Sequence, residues 1–349
     1  NGYPFLHWQE YTHNNPCCLS PYAPSNIIFG NISDSSVTIT GWNAPSYGAD
    51  GYIVKVDTNS SFNTPVDGTD PEDSLEYIGN GEQVLYNSEE IPDTLKVTGL
   101  NQVTNYYYKI YAFNKCKGNK IYDTTGVAKK IKTYPTSIKP EGKGTETDPY
   151  KISSLENLYW LSKNDGSQTY GKYYVQTEDI NALQTRHWED GDGGDPEGFH
   201  PIEFQGNYNG KGYIIKYLVI IRDNVNNIGL FSQVSDNALL KNISLVASFI
   251  YDISGERNTG NLAGINKGKI VHCNTSYSEV NGKSNVGGLV GKNKGTVTLS
   301  SSYKDSVKAD SFYSGGIIGF NDTDGILSNS YSIDTYIYAH YNAGGVIGT

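Results

Sequence analysis

Methionine is absent from the 349 residues, and only four cysteines and ten phenylalanines occur. No run of about 18 apolar residues is present, which excludes a membrane-spanning helix in this segment. No signal peptide opens the chain, so it is expected to be a piece of something longer. Positive charge is short as well: 27 Lys and Arg stand against 37 Asp and Glu, a net charge of −10. That balance argues against a nucleic-acid or anionic-membrane partner. The cysteines, Cys17, Cys18, Cys116 and Cys273, form neither a metal-binding spacing nor a dense disulfide framework. Cys17 or Cys18 is a candidate partner for Cys116 if this region lies outside the cell, whereas Cys273 reads as a free thiol.

What is plentiful is glycine (39) and tyrosine (29). The glycines recur in phase: Gly260-Asn261-Leu262-Ala263-Gly264, Gly287-Gly288-Leu289-Val290-Gly291, Gly315-Gly316-Ile317-Ile318-Gly319 and Gly344-Gly345-Val346-Ile347-Gly348. The last glycines are spaced by 27 (264 to 291), 28 (291 to 319) and 29 (319 to 348) residues. A weaker copy occurs at Gly229-Leu230-Phe231-Ser232. A near-constant period in this range signals a stacked repeat. Each phrase is followed by a polar turn (Asn266-Lys267-Gly268, Asn293-Lys294-Gly295, Asn321 to Gly325), then by anchors at Ile270, Val297 or Ile326, and at Val280, Val307 or Tyr336. No window shows helical apolar spacing, so each repeat is made of short strands and corners. The glycines then supply positive φ or close backbone approach, and Leu289, Ile317 and Val346 should lie above one another in one interior column. This is the pattern of a parallel β-helix.

Gly288-Leu289-Val290-Gly291 matches the GLUG motif of large secreted and surface-anchored bacterial proteins, and Gly316-Ile317-Ile318-Gly319 and Gly345-Val346-Ile347-Gly348 are similar to it. The resemblance implies an adhesin-like surface protein. GLUG repeats also flank the catalytic region of IgA-specific metallopeptidases, but no His-Glu-x-x-His occurs here, so that activity is not expected of this segment.

Upstream, between about Pro24 and Thr133, strands of alternating polarity are separated by turn formers: Ser36 to Trp42, Tyr52 to Val56, Thr94 to Val97, Tyr106 to Phe113 and Val127 to Ile131. Five or more short strands in this length predict an antiparallel sandwich. Trp42 and the run Leu100-x3-Thr104-x-Tyr106-x-Tyr108-x-Ile110-x-Ala112-x-Asn114 resemble a fibronectin type III module, with Gln102 where that family carries proline. The resemblance implies that Tyr106 is a corner tyrosine whose hydroxyl bonds back to the chain just before it. No Arg-Gly-Asp tripeptide is present.

The expected organisation is a leading segment at residues 1–22, similar to the tail of a preceding GLUG domain, a sandwich at 23–134, a linker at 135–146 and a β-helix at 147–349, right-handed as in the secreted proteins it resembles. Ser154 is placed to cap a short helix whose Leu155, Leu158 and Leu161 share a face and cover the first coil. The glycine-spaced stretch Gly206 to Gly212 lacks a following helix and a Lys-Ser/Thr pair, so it reads as a corner and not as a nucleotide loop.

The one dense polar cluster, Glu189 to Glu197, includes Asp190, Asp192 and Asp195 and is a candidate for a hard cation such as Ca²⁺. No other cofactor is expected. The acidic residues of the repeats do not recur at one phase, as a row of catalytic carboxylates on one face would. Tyr303, Tyr313, Tyr331, Tyr336, Tyr338 and Tyr341 are candidate rings for stacking on sugars or on an extracellular protein. The sequence therefore points to a non-catalytic extracellular adhesin or scaffold that binds glycans or matrix proteins. The alternative is a carbohydrate-active enzyme, a lyase or glycosidase, on the same scaffold.

Overall fold

The computed structural model describes residues 19–79, 81–188, 197–223, 225–253 and 258–349. The chain falls into two compact units, which meet in the sequence between Pro135 and Thr136. The leading segment lies largely outside the described residues.

The first unit is antiparallel. Strand β1 (Ser25–Ile32), β2 (Val37–Asn43) and β5 (Leu95–Val97) make one sheet; β3 (Gly51–Asp57), β4 (Gln83–Ser88), β6 (Asn105–Cys116), β7 (Asn119–Tyr122) and β8 (Val127–Lys132) make the other. The outer strands bury one apolar face, whereas β3 is buried along its whole length and shares a second cluster, Ile53 with Tyr111, Phe113 and Tyr122, with β6 and β7. Ile27, Val37, Ile39, Leu95 and Val97 from the first sheet pack on Val54, Val56, Tyr106, Tyr108 and Ile110 from the second, with Trp42 edge-on to Tyr52 at 5.3 Å. The Tyr106 hydroxyl accepts a hydrogen bond from the Asn101 N–H at 2.8 Å. Strands β7 and β8 both pair with β6, and the break between them is held by Asp123. One Asp123 oxygen accepts the Ala112 N–H at 2.6 Å and the other accepts the N–H groups of Thr125 and Gly126. Cys116 is disulfide-bonded, and its expected partners, Cys17 and Cys18, lie outside the described residues.

The second unit is a parallel β-solenoid. Each full coil visits five sheets in turn: sheet I (for example Lys269–Val271), sheet II (Asn274–Ser276), sheet III (Glu279–Gly282), sheet IV (Val286–Gly287) and sheet V (Val290–Asn293). Among the described residues these sheets hold seven, six, five, four and five strands. Inward residues stack on their own kind from coil to coil. Sheet III carries Ile220, Ile250, Val280, Val307 and Ile337, and sheet I carries Tyr174, Tyr208, Leu240, Ile270, Val297 and Leu327. The predicted column also forms: Leu289 N–H donates to Ile317 O at 3.0 Å and Ile317 N–H to Val346 O at 2.9 Å, with Leu262, Leu289 and Ile317 fully buried. The first coil is flanked by helix α1 (Leu155–Lys163), whose N-cap Ser154 accepts the Asn157 N–H at 3.3 Å. Its Leu158 and Leu161 are buried, and Tyr159 packs edge-on to Trp188 at 4.9 Å.

Of the two roles expected of the repeat glycines, only close approach is found. None of the repeat glycines has positive φ. The left-handed corners are made instead by non-glycine columns: Asn242, His272, Leu299 and Asn329 between sheets I and II, and Tyr217, Ala247, Tyr277, Lys304 and Asp334 between sheets II and III. The repeat glycines serve close approach. A Cβ on Gly291 would sit 2.5 Å from the backbone of Asn258 and Thr259 one coil back, and one on Gly287 would meet the Val290 carbonyl and lie 2.7 Å from Ile317 O. Asn261, which stands where later copies have glycine, is accommodated because its Nδ2 donates to Gly288 O at 2.9 Å.

In the last coil the interior anchors are Leu327 and Ile337, not Ile326 and Tyr336, which are exposed. The turn from Asn321 to Ile326 is two residues longer than the one from Asn293 to Thr296, which shifts the phase: 293 to 321 is 28 residues and 296 to 326 is 30. The column of Cys273, a buried free thiol, continues with Ser300 and Ser330. The interior is also not aliphatic throughout. On sheet II the inward column runs Ile180, Ile215, Leu245, Thr275, Ser302, Ser332.

Candidate functional site

Asparagine is the side chain that stacks most readily on itself, because its amide donates to the copy below and accepts from the copy above. Two such ladders edge the same lateral face of the solenoid. Asn266, Asn293 and Asn321 end the sheet V strands and are joined Nδ2 to Oδ1 at 2.8 Å. Asn285 and Asn258, both in left-handed backbone at the turn between sheets III and IV, are joined at 2.8 Å, and Asn258 continues to Asn227 at 2.8 Å. The sequence reading treated the first set as turn formers, yet Asn266 and Asn293 are fully buried.

Between these ladders lies a groove of about 610 Å³. One side is the outward row of sheet V, where Ile265, Lys292 and Phe320 occupy successive rungs. The other is the turn after sheet III, with Lys283, Ser284 and Asn285 in one coil and Phe312 and Tyr313 in the next. Between the paired positions Gly282/Ala309 and Val286/Ser314, the first coil has three residues, 283–285, and the second has four, 310–313. The added residue extrudes Phe312, which is 47% exposed.

The groove's chemistry is aromatic and cationic. Phe312 stacks on Tyr341 with centroids 5.2 Å apart and planes at 18°, Phe312 meets Tyr313 at 5.9 Å, and Tyr313 meets Phe320 at 5.6 Å. The Lys292 ammonium sits 4.9 Å over the Phe320 ring. Lys292 and Lys294 share one carboxylate, Asp322, at 3.1 and 3.7 Å. The Lys292 contact holds the Asp322 carboxyl below its ordinary range. Lys283 has no anionic partner among the described residues. The lining thus holds three ammonium groups; Asp322 is shared by two of them, and the exposed Asp310 lies in the same turn as Phe312 and Tyr313.

The other candidates are dispersed. None of the six candidate tyrosines is buried. Tyr313 lines the groove and Tyr341 packs beside it, whereas Tyr331, Tyr336 and Tyr338 point outward from the last coil. Tyr303 sits edge-on to Tyr277 at 5.6 Å, with Lys304 5.1 Å from its ring. Asp190, Asp192 and Asp195 lie outside the described residues. Glu197, at the end of that acidic loop, is in an ion pair with the buried Arg222, which also donates to Phe199 O at 3.1 Å. Among the described residues no group of three or more His, Cys, Asp or Glu side chains is poised to hold a metal.

One buried acid stands out inside the stack. Asp305 accepts hydrogen bonds from Thr275 Oγ1 at 2.6 Å, Ser302 Oγ at 2.7 Å and Ser278 N–H at 2.8 Å. Burial still pushes its carboxyl above the ordinary value. Burial likewise pushes the Cys273 thiol up to about 12, so it is inert as a nucleophile.

No family model matches the chain. Two curated proteins are similar to part of it: a halomucin of Haloquadratum walsbyi, 34% identical over 131 residues, and a protein of Evansella cellulosilytica provisionally named a Gly-rich membrane protein, 32% identical over 150 residues. These matches cover 37% and 43% of this chain, and the chain spans only 1% and 16% of those relatives. Among solved structures, a β-sandwich redesigned by computer covers 34% of this chain and 95% of its own at 18% identity and a TM-score of 0.25. Pectate lyase Pel3 from Pectobacterium carotovorum covers 89% and 80% at 10% identity and a TM-score of 0.21. The fold described above rests on its own strand ladders and not on likenesses at that level.

Proposed function

We propose that this chain is a non-catalytic segment of an extracellular surface protein, a GLUG-type right-handed β-solenoid preceded by a fibronectin type III-like sandwich, and that it binds a glycan or matrix protein on its lateral face. The observation that carries this reading is the groove in which Lys283, Lys292 and Lys294 surround the rings of Phe312, Tyr313 and Phe320. It is open, it crosses successive coils, and its groups are suited to holding an extended ligand without reacting with it. The sandwich part is supported by the strand order β1-β2-β5 facing β4-β3-β6-β8 and by the Tyr106 hydroxyl bonded back to Asn101. The relatives' names, a halomucin and a membrane protein, agree with a place at the cell surface. Among the described residues no helix is long and apolar enough to cross a membrane.

A glycan-array and matrix-protein screen with the intact chain tests the reading. Binding that weakens on Phe312→Ala supports it. Release of reducing ends from a polysaccharide panel would replace it with the enzymatic alternative.

A further inference from the structure

We propose that the lateral groove takes an anionic polysaccharide, a chain of pyranose units carrying carboxylate or sulfate groups. The inference rests on the surface-binding reading and specifies the ligand class.

Two features of the groove, read together, lead there. The first is the row Ile265, Lys292, Phe320, whose members sit on adjacent rungs about 4.8 Å apart, so the groove runs along the stack and suits a linear polymer laid across several coils. The second is the alternation of charge and ring. Phe312, partly exposed and backed by Tyr341, and Phe320 beneath the Lys292 ammonium present flat apolar faces of the kind that pack on the C–H faces of sugar rings. Lys283, Lys292 and Lys294 supply ammonium groups beside those faces, with Asp322 shared between Lys292 and Lys294 and no ion pair made by Lys283 among the described residues. A neutral glycan would leave Lys283 without a counter-charge, and a fully extended acidic peptide would leave the rings without flat partners.

The overall charge of −10 sets how such binding must behave. The net charge repels a polyanion at long range, so the lysines act only at contact distance, and added salt screens the repulsion as well as the contacts, which makes the salt dependence shallow.

The test uses the intact chain in titration calorimetry at low salt against polygalacturonate, dextran sulfate, neutral dextran and poly-L-glutamate. The proposal expects binding to one or both charged polysaccharides, at least about tenfold loss in the Lys283→Gln/Lys292→Gln/Lys294→Gln variant, and a similar loss in Phe312→Ala. An unchanged thermal melt confirms that the variants are folded. Equal binding of neutral dextran by wild type and triple-lysine variant overturns the charge assignment but leaves the surface-binding reading standing. Binding of poly-L-glutamate alone assigns the groove to an acidic protein and overturns the proposal. No binding to any of the four overturns it too, and the matrix-protein screen then decides whether the broader reading survives.

Discussion

At the scale of single residues, the repeat glycines show what a short motif encodes. Gly291 and Gly287 are glycine because neighbouring backbone occupies the space a Cβ would take; in a polypeptide of these 349 residues nothing lies within 4 Å of Gly345, whereas its counterparts Gly288 and Gly316 each face the backbone of the next coil. Gly291→Ala is therefore expected to destabilise the solenoid by about 2 kcal/mol, the usual scale of overpacking, and Gly345→Ala to be close to neutral. Thermal melts of the two variants check this. Asp305 makes a second prediction. Its raised carboxyl means that the unfolded chain gives up this proton at lower pH than the folded one. Its contribution is therefore most favourable below the unfolded value near 3.8, falls as pH rises toward the folded value, and stays low above it. Asp305→Asn lacks this step, so its melting temperature relative to wild type should rise between pH 4 and 7. A constant difference across that range would remove Asp305 from the pH response. The residues that line the groove were the least legible from sequence. Tyr313 and Tyr341 stood out as tyrosines, but Lys283, Lys292, Phe312 and Phe320 are scattered over nearly forty positions, and only the coil pitch brings them together.

At the scale of elements, the interior columns were readable where the motif recurs unchanged. Leu289, Ile317 and Val346 fall in line because the glycine phrase fixes their phase. Ile326 and Tyr336 were misread because they lie 29 residues after Val297 and Val307 whereas the rungs pair at 30, and a shift of one position in a strand exchanges inward for outward. The left-handed corners gave no signal at all, since Asn242, His272 and Leu299 share a location but no side-chain chemistry. Asparagine ladders were misread as turns because the same residue serves both roles. In the ladder, Asn293 both accepts from Asn266 and donates to Asn321. Asn293→Ala removes both bonds and leaves a buried amide partner unmatched, so a loss of about 2 kcal/mol is expected from chemical or thermal unfolding. At the other end, Ser154→Ala should cost about 1 kcal/mol, read the same way, through the lost cap on α1.

At the scale of the whole molecule, the two units were legible for different reasons: the sandwich from alternation and turn residues, the solenoid from period. Each coil of the solenoid touches only its neighbours, so local stability is expected to depend on how many coils cover it. In a polypeptide of these 349 residues, strands Ile326–Ser328, Tyr331–Ile333 and Tyr336–Ala339 pair on one side only, and their Leu327 and Ile337 are incompletely covered. Amide hydrogen exchange in residues 326–339 should accordingly be faster than in residues 269–282, which are covered on both sides. Uniform protection through both stretches would mean that the stack opens as one cooperative block.

The turn between Asn321 and Gly325 has one more consequence. It carries two residues more than its counterpart one coil earlier, yet the rungs on either side keep their pairing. The solenoid thus tolerates added length at this spot, and the peptide bond between Thr323 and Asp324 is a natural place to graft a foreign epitope or affinity tag without disturbing the stack.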